Sequence, residues 1–196
     1  LANDEEHIRA RLWRAFMTSD SVEPGPALAQ LEQMQESLTD QGAPTDQVVY
    51  QLTRSRLLRR QGNVEAAGEA VDNALLAGAS EPRLLALVAV EGRRAGRMQR
   101  AEQAARTAVI GAPSNADFRK LLAEIQLARR DGSGALTTLG ELSADDPDVV
   151  EMRAQSALLM GSEEALTLAA EGLDAYVEAH EDASESVRAL RLRLHT

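Results

Sequence analysis

An all-α fold, built by stacking antiparallel helix pairs, is predicted by three observations on this sequence. Hydrophobic types make up 44% of the 196 residues, aromatics only 3%, and alanine is the commonest residue. Small side chains favour close helix packing, whereas β-sandwiches need aromatic and β-branched strands. The chain also repeats itself at a spacing of 34 residues, and a fixed period of that length marks one helical hairpin used over and over. Finally, Gly, Pro and Ser gather in short clusters between apolar-periodic segments, which marks helix ends and leaves no linker to divide the chain. About eleven helices in a single domain over 1–196 follow from these boundaries.

The elements follow in order. Ile8, Leu12, Trp13, Phe16 and Met17 make one apolar stripe and Leu28, Leu31, Met34 and Leu38 a second, across a predicted loop at Pro24-Gly25-Pro26. This gives an atypical N-terminal hairpin over 5–44. The segment Gly62 to Ala67, with Ala74 behind it, recurs 34 residues on as Gly96 to Ala101, with Ala108 and Pro113. A third copy holds Ala135, Leu139, Leu142 and Pro147, so 48–81, 82–115 and 116–149 read as repeats in one register. A shorter repeat over 148–180 carries Val149, Val150, Met152, Ala154, Leu158 and Leu159, then Ala165, Leu166, Ala169, Ala170 and Leu173 after a Gly161-Ser162 turn. The last segment, 184–196, places Val187, Leu190 and Leu194 on one face and Arg188 and Arg191 on the other, and reads as a capping helix. Ser114 with Asp117 resembles a capping box, Asp146 is placed to cap the helix opened by Pro147, and Gly78, Gly111 and Gly161 sit where helices should stop.

These residues resemble the tetratricopeptide repeat (TPR) family, whose pattern runs W-x2-L-G-x2-Y, then A-x3-F, then P. The A-x3-F element reads Ala67/Val71, Ala101/Ala105 and Ala135/Leu139. The first half reads Gln51/Arg54/Ser55/Leu58, Leu85/Val88/Ala89/Gly92 and Arg119/Leu122/Ala123/Gln126, keeping only the small residue. The resemblance implies an α-solenoid, a right-handed superhelix of about five TPR-like repeats with a C-terminal capping helix, whose concave groove is lined mainly by the first helix of each pair.

Catalytic chemistry finds little footing. With no Cys there is no disulfide, thiol nucleophile or thiolate metal site. His7, His180 and His195 lie in different segments, each lacking a second His or a carboxylate at i+3 or i+4, so no metal or His-based role is assigned. Asp131-Gly132-Ser133-Gly134 lacks the Lys and the preceding strand of a phosphate loop and reads as an inter-helix turn. No G-x-S-x-G occurs. The pairs Asp145-Asp146 and Glu163-Glu164 sit in helix caps and first turns, where negative charge suits the helix dipole. The expectation is a non-enzyme with no cofactor and no metal. The longest apolar run, Leu84 to Val90, is far short of the roughly 20 residues that span a bilayer.

One charge feature rises above background. Between residues 54 and 106 stand ten Arg against six acids, a local +4, while the remainder of the chain carries -14. The repeat register places Arg56, Arg59, Arg60, Arg83, Arg93 and Arg94 near the groove side, with Val49, Leu52, Ala86 and Val90 as apolar contacts. Such a groove selects an acidic protein or peptide segment, because guanidinium forks bind carboxylates bidentately. The alternative is that these arginines are solvated or paired with Glu65, Glu69, Glu91 and Glu102. Nucleic acid is disfavoured by the total charge of -10 and by the lack of aromatics among the arginines. Leu52/Arg56 and Ala86/Val90 stand where the family's clamp for chaperone tails needs Lys and Asn.

Trp13 and Phe16 either pack on Leu28 and Leu31 or form a docking edge, and Tyr50 and Tyr176 read as structural. The resemblance implies a non-catalytic scaffold or adaptor that binds a peptide, helix or protein surface, with a bacterial envelope or secretion assembly as the expected setting. A ligand-sensing regulatory segment of a larger signalling protein is the competing class. All but one of the 21 basic residues are Arg, Lys120 being the exception, a bias of GC-rich bacterial coding. The chain opens on Leu1, so a trimmed or processed start is expected, with a periplasmic or envelope location if a signal was removed and a cytoplasmic one otherwise. The apolar last helix either caps its own array or continues into a second subunit, so a homodimer stays open.

Overall fold

A computed structural model describes residues 2–41, 43–78 and 80–194. Among them stand eleven α-helices and no strand: α1 (Ala2–Thr18), α2 (Pro24–Gln41), α3 (Pro44–Arg60), α4 (Val64–Leu76), α5 (Pro82–Arg94), α6 (Met98–Gly111), α7 (Ala116–Ala128), α8 (Gly132–Leu139), α9 (Pro147–Met160), α10 (Glu163–Ala179) and α11 (Glu185–Leu194). The chain divides into two compact units, Leu1–Gly111 and Ala112–Thr196, where the sequence reading draws one continuous array.

In the first unit each helix packs on the next, and the first helices of successive pairs also pile on one another, α1 on α3 and α3 on α5. The small residues expected at close approaches are buried: Ala67 and Ala101 on the second helices, Ser55 and Ala89 on the first. The Ser55 hydroxyl donates to the carbonyl of Ala67 at 2.9 Å, a bond only a small side chain can make between two closely packed helices. Leu12, Phe16, Leu28, Leu31, Met34 and Leu38 close the N-terminal hairpin onto α3. Tyr50 is buried there and donates from its hydroxyl to Gln35 Oε1 at 2.9 Å; burial raises its pKa above the ordinary value, so it stays a neutral donor.

Three sequence expectations are corrected here. Pro24-Gly25-Pro26 is the first turn of α2 rather than a loop, because the first N–H groups of a helix have no partner to lose. Met17 is 73% exposed instead of joining the apolar stripe. The α7 cap is Asn115, whose side chain accepts from the Phe118 N–H at 3.2 Å, in place of Ser114.

The second unit follows the same plan. α7 packs on α8, α8 on α9, α9 on α10 and α10 on α11, while α7 and α11 also lie against α9. α11 thus occupies the place a further first helix would take, and covers an end cluster of Val150, Ala154, Leu173, Tyr176, Ala183 and Val187. Ala123, Ala135, Leu139, Val149 and Met152 form the core between α7, α8 and α9. Asp131 belongs to this unit as the N-cap of α8, accepting from the Gly134 N–H at 2.8 Å, so the segment read as a turn is a helix start.

A backbone period underlies the sequence period. Gly62, Gly96 and Arg130, spaced 34 apart, all adopt the left-handed region at φ 84, 75 and 63. Each time the residue after them donates back to the helix, Asn63 to Leu58, Arg97 to Gly92 and Asp131 to Gln126, at 2.8 to 2.9 Å. This is a glycine-type helix stop, and the third copy is made by an exposed arginine. Replacing Arg130 with Gly is therefore expected to stabilise the second unit by about 1 kcal/mol, the left-handed penalty of a Cβ-bearing residue. A urea midpoint that falls instead of rising would show that the arginine side chain contributes more than its backbone costs.

Lys120 on α7 donates to Asp146 Oδ2 at 3.0 Å and to Asp148 Oδ2 at 3.3 Å, tying α7 to the start of α9. Burial pushes the Asp146 carboxyl up, but the Lys120 hydrogen bond and charge with two backbone N–H groups outweigh it and hold it below its ordinary 3.8. Donating that same hydrogen bond to Asp146 raises the Lys120 pKa. A lowered acid contributes stability above its unfolded value and loses it as pH falls through the native one. The second unit should thus lose about 0.5–1 kcal/mol on acidification below pH 4, and Asp146→Asn, which can still cap, should flatten that limb. On the alkaline side the contribution fades as pH rises through the raised Lys120 value, above 10.5.

Candidate functional site

The arginine-rich window lies within the first unit, and the structure sorts its residues into two groups. Val49 and Leu52 are 1% and 0% exposed, so they are core residues and offer nothing to a partner. The reason is that α1 and α2 both pack on α3. Arg56 reaches from α3 to α5, its Nε donating to Glu91 Oε1 at 2.7 Å. Its guanidinium lies 4.0 Å from the centre of the Phe16 ring and 3.6 Å from Asp20. Arg60 donates from Nη1 to the carbonyl of Ser19 at 2.6 Å and to that of Val22, fastening the α1–α2 turn to the end of α3. Arg94 donates to Glu91 Oε1 at 3.1 Å. Arg56, Arg60 and Arg94 are therefore structural ties. The pairing of arginines with Glu91 and Glu102 expected as the alternative is seen for Arg56, Arg94 and Arg106.

A second set gathers on α5, where Arg93 already has an interaction within the protein. Arg83, Ala86, Val90 and Arg93 are spaced three, four and three residues apart and form one stripe of the helix. Arg83 is exposed and the other three are half-buried, while the opposite side of α5 buries Leu84, Leu85, Val88, Ala89 and Gly92. Arg59 is half-buried on the neighbouring α3, with an Nε that meets no acceptor among the described residues. The stripe joins two small apolar contacts with a cation at each end, over about 15 Å of helix.

The second unit holds a feature that the sequence reading did not single out, an apolar cleft of about 430 Å³ between α8 and α10. Leu136 of α8 forms one wall, and Ala165, Leu168, Ala169 and Gly172 of α10 form the other. Val150 and Arg153 of α9 complete the lining, and Gly140 and Ala144 after α8 close one side. The cleft exists because α8 has 8 residues where α4 and α6 have 13 and 14. Its sequence signal was the helical spacing of the four α10 residues combined with Gly140, which ends α8 early.

Trp13 is half-buried and meets Phe16 edge-on at 5.9 Å. His180 stacks on Tyr176 at 4.2 Å, His7 is exposed, and His195 lies outside the described residues. No described helix is long and apolar enough to cross a membrane.

Comparison with known proteins now bears on this geometry. The tetratricopeptide repeat family model matches residues 93–159, from the end of α5 to α9. That segment carries the tetratricopeptide repeat. No curated protein sequence matches it. Fold similarity at 18% identity and a TM-score of 0.57 links 90% of this chain to 25% of a chain in the structure of Naa15/Naa10 bound to HypK-THB. At 15% identity and 0.51 the whole chain matches 40% of a chain in the APC/C hetero-tetramer Cut9–Hcn1. The TPR domain of P58(IPK) matches at 13% identity and 0.41, over 99% of this chain and 65% of that one. The chain thus spans a quarter and two-fifths of the first two relatives' chains, and identities this low speak to fold alone. The TPR fold serves in general as a protein-interaction module.

Proposed function

We propose that the protein is a non-catalytic scaffold whose α5 stripe docks an acidic segment of a partner protein. The observation that carries this reading is the stripe itself: Arg83, Ala86, Val90 and Arg93 share one face of α5, with Arg83 exposed, alongside Arg59. Apolar centre and cationic ends match an extended or helical segment with carboxylates spaced along it. Two structures of the same fold, Naa15/Naa10 with HypK-THB and Cut9–Hcn1, are assemblies of different proteins, which supports a binding role.

The test is a pull-down from fractionated lysate with the full chain as bait beside Arg83→Glu. Arg60, Arg93 and Arg94 are left intact, because each already has an interaction within the protein. The variant is expected to keep its helicity by circular dichroism and to bind the captured protein about tenfold more weakly, with the deficit shrinking in high salt. Equal capture by both chains would remove the α5 stripe as the docking face. The fraction that yields the partner places the scaffold in envelope or cytoplasm.

A further inference from the structure

We infer that the α8–α10 cleft of the second unit is a separate docking site for an amphipathic helix of a partner, one that brings a carboxylate to Arg153. The shape argument comes from α10. Ala165, Leu168, Ala169 and Gly172 recur at i, i+3, i+4 and i+7, so they form a straight apolar seam two turns long. Three of the four are small, which lets a second helix axis approach closely, while Leu168, 63% exposed, supplies the ridge a facing groove would take. α8 and α10 make no packing contact with each other, so the seam faces open space instead of a neighbouring helix of its own unit. An extended strand has no use for a period of 3.6, whereas a helix does.

The charge argument comes from Arg153. Its Nη2 donates to the carbonyls of Leu139 and Leu142, both at 2.9 Å, and so fixes the guanidinium against the chain that follows α8. The other two nitrogens have no hydrogen bond, and no carboxylate lies within ion-pair range among the described residues. None of the residues lining the cleft is acidic. A fixed cation in an otherwise apolar cleft, on a chain of net charge -10, selects a carboxylate and rejects a purely apolar segment. On the far side of Leu168 the exposed Glu164 and Glu171 continue along α10, so the same partner helix gains from a basic residue on its opposite flank. Apolar seam, acid on one flank and base on the other fix both register and direction.

The site is independent of the α5 stripe, which belongs to the other unit, and its test separates the two. The probe is a library of displayed helix-stapled peptides of about 15 residues with Leu fixed at i, i+4 and i+7 and the flanks randomised, panned on the full chain. Enriched peptides are expected to carry Asp or Glu on one flank and Lys or Arg on the other. By fluorescence anisotropy, the best of them should bind at least tenfold more weakly to Arg153→Gln, and Gly172→Leu should abolish the binding. Gly172 is the safer variant, because a Cβ there meets nothing within 4 Å and the helix gains propensity, and an unchanged circular dichroism spectrum separates loss of binding from loss of fold. Arg83→Glu should leave the peptides unaffected. Absence of enrichment overturns the inference, as do peptides indifferent to Gly172→Leu. Peptides that lose binding only with Arg83→Glu also overturn it, while leaving the α5 reading in place.

Discussion

Glu91→Ala is expected to destabilise the Leu1–Gly111 unit by about 3 kcal/mol, far more than the loss of a surface glutamate. Glu91 is 1% exposed on α5, and its Oε1 accepts from both Arg56 at 2.7 Å and Arg94 at 3.1 Å. The side chain of Arg56 is itself only 12% exposed, so removal of the carboxylate leaves a nearly buried guanidinium without its main counter-charge. Breaking such a pair from one side costs about 3–5 kcal/mol in general, because the orphaned ion has already lost its water. The lower end applies here, since Asp20 at 3.6 Å and the Phe16 ring still face Arg56. Glu91 Oε2 has no hydrogen-bond partner among the described residues, so the pair is imperfectly satisfied even in the intact protein. It follows that Arg56→Met/Glu91→Leu should recover most of the loss, an apolar pair of similar volume being no worse than an ion pair with one oxygen unmet. Urea unfolding of the single and double variants checks both statements. If the double variant is as unstable as Glu91→Ala, the residue acts through packing and the electrostatic account is wrong.

This ion pair also shows why the sequence exposes the fold more readily than the site. Helix positions follow from local signals: the 34-residue register, alanines at the close approaches, Pro44, Pro82 and Pro147 opening helices, and Asp146 and Ser162 capping them. Local ion pairs are equally legible, as with Glu102 and Arg106 at i, i+4. Arg56 and Glu91 are 35 residues apart, and Arg60 meets carbonyls 38 and 41 residues upstream. No periodicity argument distinguishes those arginines from Arg83, which stays exposed. Val49 and Leu52 were misplaced for a related reason. The family register says which helix lines a groove, but burial is decided by how the N-terminal hairpin lies on α3, and that depends on shape complementarity between distant segments. The α8–α10 cleft was hidden because it arises from where α8 ends, not from a motif.

The helix pair beside that cleft allows a prediction whose sign, and not only its size, is at stake. Gly132→Ala is expected to destabilise the second unit by about 2 kcal/mol, while Gly172→Ala should stabilise it by about 0.5–1 kcal/mol. The chemical change is the same, one methyl replacing a hydrogen on a helical glycine. At Gly132, the first residue of α8, the added Cβ would lie 2.6 Å from the carbonyl oxygen of Ser156, 3.1 Å from Leu159 Cβ and 3.2 Å from Met160 Cγ. Met160 can swing aside, but Ser156 O is backbone of α9, so α8 and α9 must move apart. The gap opens beside the core of Ala135, Leu139 and Val149, whose contacts hold the two helices together. At Gly172 the methyl meets nothing within 4 Å, and the only consequences are a more restricted unfolded chain and a better helix former. The equivalent positions of the other repeats, Val64 and Met98, carry large side chains, so glycine at 132 reflects the closeness of α9 and not a rule of the repeat. Thermal or urea melts of the two variants should therefore shift in opposite directions. Since Leu136 stands one turn along α8 from Gly132, the same displacement widens the cleft, and Gly132→Ala should weaken cleft-binding peptides that Gly172→Ala leaves nearly untouched.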